Sequence, residues 1–238
     1  MGFTDDRICC CFKRRRCASL EGAVALPAHI PQLVFPNPVN LANVDAAICA
    51  APSINRGNGR FRGGFRIVYC GRLISLKRVE LLLDALAQID PAREWQLDVL
   101  GDGPLRQELT ERTGHLGLST RVHFHGNVAN PYAFFAKADL GVLCSRIEGF
   151  PNVLLEMMAS GTKQIITTPC TPAVRQLPQA EILEEASARS LAALIDKTMR
   201  LRPDNAQPYR QHVQQVHSIE GFAQTVLGQA PTPGLRTD

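Results

Sequence analysis

Short apolar runs alternate with longer amphipathic segments between Arg66 and Thr168. Glycine or polar residues follow the apolar runs, as is usual where a strand gives way to a helix. This alternation predicts an α/β fold in which helices cover both faces of a parallel sheet. The predicted strands span residues 66–70, 95–100, 122–125, 140–144 and 164–167.

The segments between these strands carry apolar residues three or four positions apart, which places them on one helix face. The clearest sets are Leu81, Leu82, Ala85 and Ile89 in the first segment, and Leu105, Leu109 and Leu116 in the second. Further helices are predicted at residues 131–138, 152–159 and 190–201, and a weakly periodic one at 209–227.

The pattern divides the chain into parts of unequal size. Residues 1–50 are short and broken by prolines, so we interpret them as the remnant of a larger domain. Residues 51–64 are rich in glycine and arginine and are typical of a linker. Residues 65–215 form the predicted α/β domain, and residues 216–238 a C-terminal helix that continues into a flexible tail.

The composition is that of a soluble globular protein. The chain has 238 residues, of which 45% are hydrophobic and 20% charged. Its net charge is +4, and five basic and two acidic side chains stand in the first twenty residues, so the remainder is nearly balanced. This balance argues against a nucleic-acid-binding protein, in which basic residues would line a whole face.

Targeting and redox signals point to a cytoplasmic protein. The longest charge-free stretch, residues 22–44, contains four prolines and is unsuited to a membrane helix. The start of the chain is polar and acidic, unlike a secretory signal. Eight cysteines occur without a C-x-x-C pair, and we expect reduced thiols.

Two glutamates eight positions apart are the most specific chemical feature, in the stretch from Glu148 to Glu156. Glu148 follows a predicted strand, and Pro151 suits the first turn of a helix, whose N–H groups can bind an anion. Glu156 stands in an apolar run, where a carboxylate needs hydrogen-bond donors such as sugar hydroxyls. The alternative is structural: Glu148 caps the helix, and Glu156 pairs with a neighbouring base.

Two cations follow the first predicted strand, Arg72 directly after Gly71 and Lys77 five residues later. Ligands of open parallel sheets bind outside the carboxyl ends of the strands, and these cations suit a pyrophosphate there. The alternative is a solvated loop with ordinary surface cations. The Gly101–Pro104 turn also lets a ligand approach the backbone, although a purely structural turn is the favoured interpretation.

Several common sites have no counterpart in the sequence. The glycine motifs of dinucleotide-binding and P-loop proteins are missing, which argues against a dehydrogenase or an ATPase. His123 and His125 share a strand face but have no evident third ligand, so no metal site is predicted.

Taken together, the segments GRLISLKR, GDGP, VHFHGNV and SRIEGFPNVLLEMMASGT resemble the nucleotide-sugar-binding half of GT-B glycosyltransferases, specifically the retaining group called family 4. The resemblance is dense over residues 66–168 and extends weakly to the proline-containing residues 35–39. It implies a Rossmann-like domain with an incomplete N-terminal remnant.

The resemblance also implies roles for individual residues. Arg72 and Lys77 would bind the donor phosphates, and Glu148 the hydroxyls of the donor sugar. A second group would hold the rest of the nucleotide: Glu156 the ribose, the amides of Phe150, Asn152 and Val153 the diphosphate, and the backbone near Val128 the base.

The implied reaction is transfer of a hexose from a nucleoside diphosphate sugar to an acceptor hydroxyl with retention, in polysaccharide or glycolipid assembly. No metal or other cofactor is implied, because the two cations would neutralise the leaving diphosphate. The implied partners are the nucleotide-sugar donor and a glycan or lipid-linked acceptor. The alternative is a truncated, non-catalytic nucleotide-sugar-binding module, or a subunit that needs a separate acceptor-domain chain.

Three features depart from the family pattern. The acceptor half is reduced to about fifty residues, Arg78 replaces a common glycine and adds charge near the phosphates, and residues 168–173 are not glycine-rich. The basic residues Lys13 to Arg16 would also suit peripheral contact with anionic lipid at the inner face of the membrane, with a solvated segment as the alternative.

Overall fold

Six parallel strands form the sheet at the centre of the fold, in the order β3-β2-β1-β4-β5-β6. The computed structural model describes residues 37–51 and 64–228. The strands are β1 Phe65–Cys70, β2 Trp95–Leu100, β3 Val122–Gly126, β4 Leu140–Leu143, β5 Gln164–Thr167 and β6 Glu181–Ile182.

Eight α-helices accompany these strands within the described residues. They are α1 Leu41–Cys49, α2 Val79–Leu86, α3 Arg106–His115, α4 Tyr132–Phe135, α5 Asn152–Ser160, α6 Ala188–Leu201, α7 Ala206–Val216 and α8 Ile219–Gly228. Two 3₁₀ turns, Ser75–Lys77 and Pro172–Gln176, follow β1 and β5.

The core consists of two apolar layers, one on each face of the sheet. Helices α2, α3 and α6 pack together over one face, and α1, α4, α5 and α7 over the other. Strand β2 is buried along its whole length, as is usual for a strand covered on both faces. The predicted α/β class with a parallel sheet is therefore confirmed.

Most predicted elements are confirmed, but one short strand was not predicted and one predicted helix is divided in two. The two-residue strand β6 was not predicted, because it is too short to show a pattern. The weakly periodic segment 209–227 is two helices, α7 and α8, separated at His217 and Ser218. The junction between α7 and α8 pairs with the segment that precedes residue 41, since Ser218 forms a parallel β-bridge with Val39.

Helix α1 packs on the sheet domain through several polar contacts. The Arg210 guanidinium donates to both carboxylate oxygens of Asp45, at 2.9 and 2.7 Å. Asn130 Nδ2 donates to the carbonyl of Ala47 at 2.6 Å. The proposed domain boundaries stay a prediction. The predictions for residues 1–36, for linker residues 52–63 and for the tail after residue 228 lie outside the described residues.

Tyr209 of α7 fixes this helix against the sheet. Its side chain is fully buried, and its hydroxyl accepts from the backbone N–H of Ile165 at 3.3 Å and donates to the carbonyl of Gln179 at 3.1 Å. Burial raises the pKa of Tyr209 to about 12, so the phenol stays neutral. The hydroxyl thus ties α7 to backbone groups in β5 and in the segment before β6.

Candidate functional site

The direction of strand addition reverses between β1 and β4. From β1 the sheet grows through β2 and β3 on one side, and from β4 through β5 and β6 on the other. In open α/β sheets, the crevice outside the carboxyl ends at such a reversal is the usual ligand site. Arg72 and Lys77 follow β1, and Glu148 follows β4, so the sequence-predicted charges lie at this edge.

Lys77 and Glu148 form an ion pair across this crevice, with Nζ 2.6 Å from Oε1. Both side chains are largely buried, at 19% and 15% exposed. The backbone holds the pair in place, since the N–H of Arg146 donates to the carbonyl of Leu76 at 2.9 Å and that of Glu148 to Cys170 at 3.0 Å. The structure therefore brings Lys77 and Glu148 together, and Glu148 does not cap the helix.

Arg72 is exposed at the mouth of the same edge. Its carbonyl accepts from the hydroxyl of Tyr69 at 3.3 Å. Burial raises the pKa of Tyr69, so this phenol keeps the proton that it donates. The hydroxyl of Tyr69 thus holds the Arg72 carbonyl in place. The Arg72 side chain lies at the surface, where a charged ligand would enter.

The Gly101–Pro104 turn packs directly on this loop. A Cβ on Gly101 would lie 2.1 Å from the carbonyl oxygen of Gly71, and Gly101 has a φ of 121°. A Cβ on Gly103 would lie 2.5 Å from the oxygen of Leu73. These glycines permit two loops to touch, which supports the structural interpretation of the turn.

Glu156 lies one helical turn into α5, half-buried. Burial raises its pKa above the ordinary value. Burial also raises the pKa of Cys70 to about 11, and the nearby carboxylate of Glu156 adds to this effect. Glu156 forms no salt bridge with any residue in the described ranges, so the alternative in which it pairs with a base is wrong there.

The start of α5 contains the predicted diphosphate-binding group. Pro151 immediately precedes the helix, rather than standing in its first turn as predicted, because its ψ of 78° is not helical. The backbone N–H of Asn152 donates to Phe150 at 3.0 Å and is engaged within the loop. As the second helical residue, Val153 has an N–H without an intrahelical acceptor.

Val128 is the residue whose backbone was assigned to the base. Val128 follows β3 at the same edge of the sheet and packs, half-buried, against the apolar layer that includes α5.

Arg78 adopts the left-handed conformation with φ 52° and ψ 45°, which explains why glycine is common there. Its guanidinium donates to the carbonyl of Ala186 in the β6–α6 loop at 2.8 Å, and the expectation that it adds charge near the phosphates stays a prediction.

Asn37 is a neighbour of the site that sequence reasoning did not assign. Its Nδ2 donates to Oδ1 of Asn152 at 2.6 Å, although the two residues are 115 positions apart. The sequence offered one sign of this contact. Asn37 stands between two prolines, which restrict its backbone, and its side chain is polar.

Other features of the described residues bear on the site. No group of three potential metal ligands occurs in residues 37–51 and 64–228. No helix in these ranges is long and apolar enough to span a membrane. Two surface cavities of about 230 and 410 Å³ lie at the opposite end of the sheet, one beside Arg202 and one beside Gln88, so they are separate from the charged edge.

The family model "Glycosyl transferases group 1" matches residues 64–201, more than half of the chain. The chain belongs to the group 1 glycosyltransferases. The match includes the whole sheet and every site residue assigned from the sequence.

The curated relatives that match this group 1 chain are named for the transfer of a sugar or the synthesis of a sugar phosphate. An α-1,4-N-acetyl-D-galactosaminyltransferase of Campylobacter jejuni, named for a diphospho-undecaprenol substrate, is 37% identical over 39% of the chain and 26% of its own length. The mannosylfructose-phosphate synthase of Agrobacterium fabrum is 38% identical over 45% of the chain and 27% of its own length. The chain thus spans about a quarter of these relatives.

Solved structures of GT-B glycosyltransferases share the fold of this group 1 chain. Anabaena HepE, in complex with UDP and glucose, has a TM-score of 0.72 at 22% identity, over 85% of this chain and 57% of its own. The lipopolysaccharide outer core galactosyltransferase WaaB has a TM-score of 0.64 at 22% identity, over 83% and 56%. The resemblance to a GT-B glycosyltransferase is therefore confirmed, for a chain that spans just over half of each neighbour.

Proposed function

We propose that this chain is the donor-binding part of a glycosyltransferase that transfers a hexose from a nucleoside diphosphate sugar to an acceptor hydroxyl with retention of the anomeric configuration. The observation that carries the proposal is the Lys77–Glu148 pair at the reversal of strand order. A cation and an anion at this edge suit a ligand that has both phosphates and hydroxyls.

Electrostatics explain how the site would promote departure of the diphosphate. Lys77 is already held by Glu148, so its charge has a fixed position before the donor arrives. Exposed Arg72 supplies a second cation, and the N–H of Val153 a backbone donor. Charges that are fixed in advance stabilise the leaving diphosphate without reorganisation, and we propose that no metal ion is required.

Glu148 and Glu156 would hold the two sugar portions of the donor. Glu148 Oε1 accepts from Lys77, which leaves its second carboxylate oxygen for a hydroxyl of the transferred hexose. Glu156 is half-buried without a salt bridge among the described residues, so its carboxylate is poorly stabilised. The two hydroxyls of a ribose would satisfy both of its oxygens.

The relatives support this choice of substrates. The HepE neighbour was solved with UDP and with UDP-glucose, and the Campylobacter relative is named for a lipid-linked glycan. We extend these classes to this chain: a nucleotide-sugar donor and a glycan or lipid-linked acceptor, in polysaccharide or glycolipid assembly. Peripheral contact with the inner face of the membrane, for a cytoplasmic protein, belongs to the same proposal.

Isothermal calorimetry with UDP, GDP and ADP, with and without magnesium, tests the donor site. We expect one nucleotide to bind, and its affinity to be insensitive to magnesium. Lys77→Ala should weaken that affinity about tenfold, the effect of losing one charge-assisted hydrogen bond. The matched control is Lys163→Ala, which breaks the Lys163–Asp139 pair near the opposite ends of β4 and β5. Absence of binding to all three nucleotides would contradict the proposal.

A second function shares the same donor site. The alternative proposal is a subunit that binds the sugar nucleotide and works with a separate acceptor-domain chain. Release of free nucleotide from the matching nucleotide sugar distinguishes the two functions. Turnover by the purified chain with a glycan acceptor supports the transferase, whereas binding without turnover supports the subunit.

A further inference from the structure

Three half-buried polar side chains, each from a different element, lie on the sheet face that α5 covers. Cys70 ends β1, Tyr132 begins α4, and Glu156 lies one turn into α5. Helix α4 packs on α5, and both Cys70 and Tyr132 contact the apolar layer that includes α5. Tyr132 therefore lies beside the carboxylate that we assign to the donor ribose, although no role has been assigned to Tyr132 itself.

Electrostatic effects show that the three groups are neighbours. Burial raises the pKa of Tyr132, and Glu156 and then Cys70 add to this effect. Burial also raises the pKa of Cys70 to about 11, again with a contribution from Glu156. Because the interaction between charges weakens with distance, the phenol, the thiol and the carboxylate lie near one another. Near pH 7 the phenol and the thiol keep their protons, so each can donate a hydrogen bond but carries no charge.

Tyr132 lies near Glu156 without a direct hydrogen bond between their side chains. Within residues 37–51 and 64–228, neither the Tyr132 hydroxyl nor the Glu156 carboxylate forms a side-chain hydrogen bond. The ring of Tyr132 is held edge-on by the fully buried Phe135, with ring centroids 6.2 Å apart. A donor that is fixed in place thus stands beside an acceptor to which it is not bonded.

A sugar hydroxyl is the group that would join this donor to this acceptor. A hydroxyl accepts through its lone pairs and donates its proton, so one hydroxyl can accept from Tyr132 and donate to Glu156 at the same time. The half-buried Glu156 carboxylate gains the donor that its burial calls for. An ionised phosphate would not serve, because it has no proton to donate and the carboxylate would repel it.

We propose that Tyr132 is a further donor-binding residue, whose hydroxyl donates to the same ribose hydroxyl that donates to Glu156, so that the site selects ribonucleotides over deoxyribonucleotides. This inference rests on the proposed function and extends it to the selection of the sugar within the nucleotide. It also assigns α4 a part in donor recognition, beside the loop after β3 and the start of α5.

Calorimetry on Tyr132→Phe tests the inference with whichever of UDP, GDP and ADP the wild type binds, and with the 2′-deoxy and 3′-deoxy forms of that nucleotide. We expect the wild type to prefer the ribonucleotide about tenfold or more over one of the deoxy forms. Tyr132→Phe keeps the ring and loses the hydroxyl. Its affinity for the ribonucleotide should fall about fivefold, the effect of one hydrogen bond, and its affinity for that deoxy form should stay unchanged.

Tyr209→Phe is the matched control, because it removes the same atom from a second tyrosine of the same apolar layer. The Tyr209 hydroxyl bonds to the backbone of Ile165 and Gln179 instead of facing the cluster at Glu156. This variant should lower thermal stability and leave the preference for the ribonucleotide unchanged. A preference that fell in both variants alike would indicate a general effect of packing and would overturn the inference.

The outcomes separate this inference from the proposed function. Equal binding of the ribonucleotide by Tyr132→Phe and the wild type would overturn the inference alone, as would an equal loss for the ribonucleotide and both deoxy forms. A wild type that binds the nucleotide but does not discriminate against either deoxy form would overturn it too, and would leave the donor site in place. Failure of the wild type to bind UDP, GDP and ADP would overturn both.

The double variant Tyr132→Phe/Glu156→Gln tests whether the two side chains hold the same hydroxyl. Groups that share one partner are coupled, so the double variant should lose less affinity for the ribonucleotide than the product of the two single losses. Losses that multiply in full would show that Tyr132 and Glu156 act on separate parts of the ligand, and would overturn the shared contact that we propose.

Discussion

Nζ of Lys77 lies 2.6 Å from Oε1 of Glu148, across the point at which the sheet reverses its strand order. Each side chain is less than one fifth exposed, so each neutralises a charge that the fold has largely removed from water. This pair connects the loop after β1 to the loop after β4.

Removal of one member of this pair should destabilise the fold. Lys77→Met leaves the Glu148 carboxylate half-desolvated without its partner, and we expect a loss of about 2 kcal/mol in the free energy of unfolding. The double variant Lys77→Met/Glu148→Gln should recover most of that loss, since no charge is left unpaired. Urea denaturation of the wild type, Lys77→Met, Glu148→Gln and the double variant measures the coupling. Additive losses would show that the pair is not coupled.

Glu156→Gln should stabilise the protein and impair the proposed donor site. The substitution removes a carboxylate that burial makes costly, so the melting temperature should rise. Affinity for the nucleoside diphosphate should fall about tenfold, because an amide accepts with only one oxygen. Differential scanning fluorimetry and calorimetry measure the two effects, and a fall in both quantities would indicate a purely structural role.

The stabilisation by Glu156→Gln should depend on pH. Because the folded-state pKa of Glu156 is raised above 4.5, the folded protein binds this proton more tightly than the unfolded chain does. Stability from this group is fully present below pH 4.5 and is lost as pH rises through the folded-state pKa. The advantage of Glu156→Gln should therefore grow from pH 4.5 to neutrality, and a constant difference would contradict the assignment.

Arg78 provides a comparison between backbone strain and a side-chain contact. Arg78→Ala loses the hydrogen bond to Ala186 and keeps a left-handed backbone that suits glycine, so it should destabilise the protein. Arg78→Gly loses the same bond but relieves the backbone, and should be more stable than Arg78→Ala by about 1 kcal/mol. Guanidinium denaturation of both variants measures the difference. Equal stabilities would mean that the strain is negligible.

Gly101 should tolerate no side chain. A Cβ would lie 2.1 Å from the backbone oxygen of Gly71 at a φ of 121°, so Gly101→Ala should cost at least about 2 kcal/mol. Gly149 offers the matched control, since a Cβ there would have no heavy atom of residues 37–51 or 64–228 within 4 Å. Gly149→Ala should leave the unfolding midpoint in urea nearly unchanged. A similar loss in both variants would point to backbone entropy rather than contact.

Local sequence patterns made part of the structure predictable. The buried strands and amphipathic helices produced strong periodicity, and the charges of Arg72, Lys77 and Glu148 follow strand ends that the sequence marks clearly. Parallel strands direct their carboxyl ends to one edge, so topology alone brings these residues near each other. Their hydrogen-bond partners required the three-dimensional structure.

The parts that sequence reasoning missed depend on contacts between distant residues. The pairing of Asn37 with Asn152 spans 115 positions and leaves no periodic signal. The contact of the Arg78 side chain with the Ala186 carbonyl was also unpredictable, because a long flexible cation can reach several acceptors from the same backbone. Strand β6 has two residues, fewer than any pattern requires.

The burial of Tyr209 has a consequence for exchange of segments between homologous genes. A recombination event that transferred only residues 64–201 would leave the hydroxyl of Tyr209 facing an unfamiliar β5, and Asn37 facing an unfamiliar α5. Residues 37–51, 64–201 and 206–218 are therefore coupled through these contacts, and a change in one segment constrains the substitutions that the other two can accept.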